Sequence, residues 1–363
     1  MYDLIVIGGG PAGAAAAITT ARTGARVLML ERGRFPRHKV CGEFVSAESL
    51  HLLGELLCQV KRGLLTQASR ISQARIFVDD RMLQAPVEPA AASIARLELD
   101  AALWQSAEQA GVETSQQVTV QSVSGSGPFV VGSSAGKLES RAVINASGRW
   151  SNLSSPPSNG EAKVKWIGVK GHFSETRRPS SVDLYFFEGG YCGVQPVDLS
   201  TDQDLSRVNA CAMVRADVAS SLAEVFALHP DLAERARRWQ PLSEPVTTSP
   251  LIFRTPCPEH AGILMAGDAA GFVDPFVGDG ISLALRSGRM AAEYLLPFFA
   301  GDVPFERARH QYVRSYENEL APIFQMASKI RKAISLPKVV RVPALAVLQK
   351  TPLLTRYLVK KTR

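Results

Sequence analysis

Apolar and polar positions change their period several times along this chain, and each change marks an element. Leu4 to Ile7 is a short unbroken apolar run of strand length, and the alanine-rich stretch Ala14 to Arg22 behind it is a strong helix former. A second run, Arg26 to Leu30, ends at Glu31, and strand–helix alternation fills residues 2–60. Ala74 to Ala85 predicts a strand pair turning at Asp79–Asp80, Arg96 leads into a helix through about Ala110, and 118–124, 129–132 and 137–146 read as short strands joined by Gly/Ser turns. From Lys163 to Arg254 strand patterns dominate, at 163–173, 182–187, 207–215 and 246–254, with helical stretches near 217–228 and 231–239. Strand, loop and helix return over 260–300. A single further helix then carries Val313, Tyr316, Leu320, Ile323, Ala327, Ile330 and Ile334 on its apolar side.

This order predicts an α/β fold with an α+β insert. A discontinuous Rossmann-like domain is drawn from 1–73, 95–162 and 255–300, and a mostly antiparallel β-sheet domain from 74–94 and 163–254. A basic, helical C-terminal segment, 301–363, follows. At 363 residues and 46% hydrophobic content the chain is long enough for two sizeable cores.

Two glycine-rich motifs about 250 residues apart, IVIGGGPAG at 5–13 and GILMAGDAAGFVDPFVGDGISLAL at 262–285, carry the candidate chemistry. In the first, Gly8 makes the tight turn, and Gly10, followed by Pro11 and Ala12, leaves room for a pyrophosphate. Gly13 lets the helix close on the sheet, so phosphate sits on free N–H groups at the helix N-terminus. Glu31, next to Arg32, lies 18 residues beyond Gly13, near the offset of the acid that bonds a ribose hydroxyl. In the second motif Gly267 and Asp268 end a buried strand, with the carboxylate aimed at ribityl hydroxyls. Pro275, Gly278 and Gly280 form the loop before a helix at Ile281–Met290, whose N-terminus suits negative charge. Each motif supplies what the other lacks for one extended dinucleotide, and together they read as an FAD site.

Charge changes the picture only at the end of the chain. The net charge is +7, yet residues 320–363 hold ten Lys or Arg and no Asp or Glu, while the first 319 residues hold 31 basic and 34 acidic. Leu345, Leu348, Leu353, Leu354 and Leu358, with Lys350, Arg356, Lys360 and Lys361 around them, fit either an amphipathic contact with an anionic membrane surface or a solvated helix packed on the body. No basic–aromatic interleaving points to nucleic acid. Five scattered cysteines and six histidines show neither a disulfide framework nor metal-ligand spacing. With a strand at Tyr2 and no apolar run of about 18 residues, the expectation is a cytoplasmic protein, at most associated with the cytoplasmic face of a membrane.

The order GGGPAG, Glu31, Lys39-Val-Cys-Gly-Glu43, Arg96-x-x-x-Asp100, Asn145-Ala-Ser-Gly148 and GDAAGFVDPFVGDGI resembles the geranylgeranyl reductase family. That family shares the hydroxybenzoate hydroxylase fold with flavin monooxygenases and flavin-dependent halogenases. The likeness runs along the whole chain but is specific in the FAD-contacting segments. It implies that Cys41 and Gly42 lie beside the flavin, with Cys41 as candidate catalytic residue, and that Arg96 and Gly148 contact the cofactor. It also implies NAD(P)H or a separate reductase as electron donor and a hydrophobic small-molecule or lipid substrate. Tyr185, Phe187 and Tyr191 of the β-rich insert are the expected pocket residues; no oligomeric state is implied.

Three departures bear on the reaction. Ala146-Ser147-Gly148-Arg149 stands where the monooxygenases carry ADG. The halogenase WxWxIP motif is absent, Trp166 standing in WIGVKG, and YxWxFP of prenyl-reducing members appears as Tyr191-Cys-Gly-Val-Gln-Pro196. The expectation is oxygen-dependent hydroxylation of an aromatic polyketide, quinone or phenolic lipid. C=C reduction in a prenyl or lipid chain is the alternative, with halogenation and a non-enzymatic flavoprotein behind it.

Overall fold

The computed structural model describes residues 1–149, 153, 165–176, 180–197, 206–253 and 255–334. Two sheets organise them. In the first, the strand order is Glu259–His260, Ile263–Met265, Gly136–Asn145, Tyr2–Ile7, Val27–Glu31, Glu113–Gln116, and the three strands at the centre run parallel. Leu4, Ile5 and Val6 are fully buried because helices cover the sheet, which is why this strand reads as a continuous apolar run rather than an alternating one.

The crossover helix Pro11–Ala21 is buried along nearly its whole length. Its alanines answer a packing demand as well as a propensity: the long helix Gly280–Ala300 crosses so closely that a Cβ on Gly288 would stand 2.0 Å from the Ala12 carbonyl oxygen. Larger side chains would force the two helices apart. Both helices therefore begin at the carboxyl edge of one sheet.

The second sheet has nine strands among the described residues, in the order Gln240–Pro241, Trp166–Glu175, Ser206–Arg215, Gly190–Pro196, Ser181–Phe187, Ser69–Val78, Arg81–Ser93, Phe44–Val45, with Val246–Thr248 also paired to Trp166–Glu175. Its pairings are antiparallel except that of Ser181–Phe187 with Ser69–Val78. The expected turn at Asp79–Asp80 is a two-residue hairpin with φ of 50° and 61°, the geometry that matches the strands' twist. Phe44–Val45 and residues 69–73 both hydrogen-bond into this sheet, so the segment after Glu31 crosses from one sheet to the other. One face of the sheet is closed by the short helices Leu222–Ala227 and Pro230–Ala236 over Val169, Phe173, Tyr185, Cys192 and Val208. The other face looks toward the first sheet.

Two features depart from the sequence reading. Gly190–Pro196 is a strand that two glycines and a proline hide from any alternation pattern. The single helix expected around 313–334 is two, Phe305–Glu319 and Ala321–Ile334, since Pro322 brings no N–H and its ring obstructs the preceding turn. No helix among the described residues is long and apolar enough to cross a membrane. The leucine- and lysine-bearing tail at 345–361 lies outside them.

Candidate functional site

A cavity of about 460 Å³ lies between the carboxyl edge of the first sheet and the inward face of the second. This is where ligands sit in open α/β sheets. Gly8, Gly10, Pro11, Ala12, Glu31, Arg32, Cys41, Gly42, Arg96, Gly148, Gly267, Asp268, Pro275, Gly278, Gly280, Ile281 and Tyr191 all line it. Gly13 does not: its Cβ would fall 1.8 Å from the Gly8 carbonyl oxygen, so it seats the helix on the strand from behind.

At one end the backbone forms a cradle. Gly10 caps the helix Pro11–Ala21, and a Cβ there would meet only the Arg96 guanidinium, at 4.0 Å. Gly280 opens the helix Gly280–Ala300, and a Cβ there would meet nothing within 4 Å. Two helix N-termini thus face one cavity, a ready site for phosphate and for negative charge on a ring. Glu31 is held at the end of its strand by the Gly9 amide, which donates to Oε2 at 2.9 Å, by the Gly33 amide at 2.6 Å, and by Arg37 at 3.1 Å. These residues fit FAD: the first N-terminus for the pyrophosphate, Glu31 for the adenosine ribose, Asp268 for the ribityl chain, and the second N-terminus for the pyrimidine edge.

At the other end lies the loop His38–Glu43. Cys41 is half-buried on the cavity wall, where its Sγ accepts the Glu43 amide at 3.3 Å, and Arg96, on the same wall, holds Asp100 through two bonds of 2.7 Å. Burial works against the Arg96 charge, but Asp100 and Cys41 raise its pKa above the ordinary arginine value. Beneath the loop is a charged cluster that the motif reading missed. Glu43 (0% exposed) takes the unusual φ of +64° and pairs with Lys170 (1%) and with His172 Nε2 (2%) at 2.8 Å. Glu43 Oε1 also accepts the Arg96 amide at 2.8 Å. Asn209 donates to the carbonyls of both Cys41 and Gly42 at 3.0 Å. Burial pushes the Glu43 pKa up, but the His172 hydrogen bond and the Lys170 charge outweigh it and hold the carboxyl below its ordinary value. The signal was present in the sequence: Lys170 and His172 share one parity of the otherwise apolar run WIGVKGHF, so both point to the same face of a strand.

The wall facing the cradle is apolar. Tyr191, Met213 and Leu251 pack with Phe272, Phe186 and Leu184, and Val40 and Gly168 complete the lining. Tyr185 and Phe187, expected beside Tyr191, are on the other side of the sheet. Tyr185 stacks on Phe77 at 4.5 Å and meets Arg235, in the core under the two short helices. Side chains alternate along a strand, so the inward aromatic between them is Phe186. No cluster of residues able to hold a metal ion occurs among the described residues.

Comparison with known proteins points to the same cofactor. Residues 3–148 match the family model for FAD dependent oxidoreductases. The chain is 26% identical over 352 residues to digeranylgeranylglycerophospholipid reductase 2 of Methanopyrus kandleri, covering 92% of this chain and 87% of that protein. It is 28% identical over 322 residues to the menaquinone reductase of Mycobacterium tuberculosis, covering 81% and 76%. Among solved structures, the flavin-dependent brominase Bmp2 superposes with a TM-score of 0.80 at 19% identity, over 99% of this chain and 93% of that one, which is a likeness of fold. The chain carries the FAD-dependent oxidoreductase domain over residues 3–148 and is similar in sequence to the digeranylgeranylglycerophospholipid and menaquinone reductases and in fold to the flavin-dependent halogenases.

Proposed function

We propose that this protein reduces a carbon–carbon double bond in a hydrophobic substrate of the prenyl or quinone class. The observation that carries the reading is the Cys41 thiol, lining the cavity between the cofactor cradle and the apolar wall, with Arg96 lining the same cavity. The reductases named above, which act on digeranylgeranylglycerophospholipid and on menaquinone, support it. When bound, FAD supplies two electrons as a hydride, reaching it from NAD(P)H or a separate reductase. The chain supplies the rest. Tyr191, Met213, Leu251 and Phe272 exclude water and hold the unsaturated carbons, Cys41 gives the proton, and Arg96 stabilises the thiolate left behind.

A second reading, hydroxylation of an aromatic polyketide, quinone or phenolic lipid, is favoured by one observation. The strand Gly190–Pro196 puts Gly193 and Gln195 where prenyl-reducing members carry Trp and Phe. Cys41→Ser separates the two. Under the reductase reading, anaerobic turnover falls ~100-fold or more with the flavin spectrum unchanged, the usual worth of a positioned proton donor. Turnover within a few-fold of wild type, in a product that carries oxygen from dioxygen, selects the second reading instead.

A further inference from the structure

Asp279 is a buried acid with no part in the reaction proposed above. It directly precedes Gly280, the first residue of the helix Gly280–Ala300, so it stands at the N-terminus assigned to the pyrimidine edge of the flavin, and its neighbours Gly278 and Gly280 both line the cavity. The residue is 1% exposed, yet neither carboxylate oxygen makes a hydrogen bond within normal geometry among the described residues, and the side chain does not cap the helix. The groups that face it are Ser282 and Arg286 of its own helix, Glu48 of the helix Ala47–Leu56, and Ser46, which precedes that helix. The two hydroxyls are bonded to each other at 2.7 Å. Burial pushes the Asp279 carboxyl up to about 6; the hydroxyls and the Arg286 charge pull it down without cancelling the rise, and Glu48 adds to it. Asp274, at the other end of the same loop, is buried and pushed up to about 7, but Arg331 lies against it at 3.2 Å and supplies a counter-charge.

Once a bound flavin is reduced, two negative charges compete for one helix N-terminus: ionised Asp279 and the charge that reduction places on the ring. Like charges held together in a buried site do not both persist, and the carboxylate is the one with a proton to gain. We propose that Asp279 is a proton-loading group, taking up one proton when the flavin gains its electron pair and releasing it when the flavin passes that pair on. The balance is two electrons and one proton to the flavin and a second proton to the carboxylate, the electrons coming from NAD(P)H or a separate reductase. The inference rests on FAD filling the cleft and holds for either reaction considered above.

The test needs no substrate. Holoprotein is reduced with dithionite in a redox titration, repeated across the pH range just above neutrality, where Asp279 is ionised in the oxidised protein. One pH unit should change the two-electron equilibrium about 100-fold in wild type, the mark of two protons taken up, and about 10-fold in Asp279→Asn and Asp279→Ser, the mark of one. Asp274→Asn should keep the wild-type dependence. The reduced-minus-oxidised infrared difference spectrum should show a protonated carboxylic C=O band in wild type that both Asp279 variants lack, which separates a proton on the carboxylate from one on the ring. A 10-fold dependence in wild type, a 100-fold dependence that survives both Asp279 variants, or a wild-type spectrum without the carboxylic band overturns the proposal. So does a second proton that disappears with Asp274→Asn and stays with the Asp279 variants. A protein that takes up no FAD at all sinks the wider reading of the cleft, whereas FAD bound with a single proton per electron pair sinks only this inference.

Discussion

Replacing Gly10 with valine is expected to give a folded, colourless protein. The position is open on the protein side, so the branched side chain meets no backbone and the fold persists, but it projects into the space where the first helix N-terminus takes phosphate. FAD affinity should fall by at least ~100-fold, or about 3 kcal/mol. The apoprotein melting temperature should stay within a few degrees of wild-type apoprotein. The contrast is Gly288→Ala, whose Cβ meets the Ala12 carbonyl oxygen at 2.0 Å. That variant should lose stability and flavin together, since the two helices must part. Absorbance near 450 nm and thermal melts read both outcomes. A yellow Gly10→Val protein with wild-type affinity would remove the cradle from the account.

Glu43→Gln is expected to cost about 3–5 kcal/mol in folding stability, because it strips the carboxylate from Lys170 and His172 in a fully buried site. The double variant with Lys170→Met should recover part of the loss, since the unpaired charge leaves with its partner. The pH dependence has a definite sign. The folded Glu43 pKa lies below the unfolded one, about 4.3, so its contribution is present above that pH and disappears as pH falls through the folded value. Denaturant melts across the acid range should therefore show a shallower loss for Glu43→Gln than for wild type. Because the same carboxylate anchors the turn that presents Cys41, the variant should also lose turnover beyond what its stability explains.

The cofactor half of the molecule was legible in the sequence because its constraints are local. Gly8, Gly10 and Gly13 mark a strand–turn–helix, and Glu31 and Asp268 end strands that read plainly as apolar runs. The substrate half was not, because its constraints are relations between distant strands. Glu43 meets Lys170 across 127 residues and His172 across 129, and nothing in the wording of CGEFV announces the pairing. Tyr185 and Phe187 were expected in the pocket, yet their facing depends on register: only the pairing of Phe186 with Tyr191 and Tyr191 with Met213 shows which parity looks into the cleft. The break at Pro322 was legible in principle, since proline near the middle of a long helical pattern ends it.

The central claim is that this fold carries reduction of a double bond. Dithionite-reduced holoprotein should be incubated under argon with a menaquinone bearing an unsaturated isoprenoid chain, and in parallel under isotopic dioxygen with an electron donor. The account predicts, after the quinol ring is reoxidised to the quinone, a product two mass units heavier in its isoprenoid chain under argon, absent without the protein, and no oxygen label under isotopic dioxygen. A product that forms only with dioxygen and carries its label would contradict it.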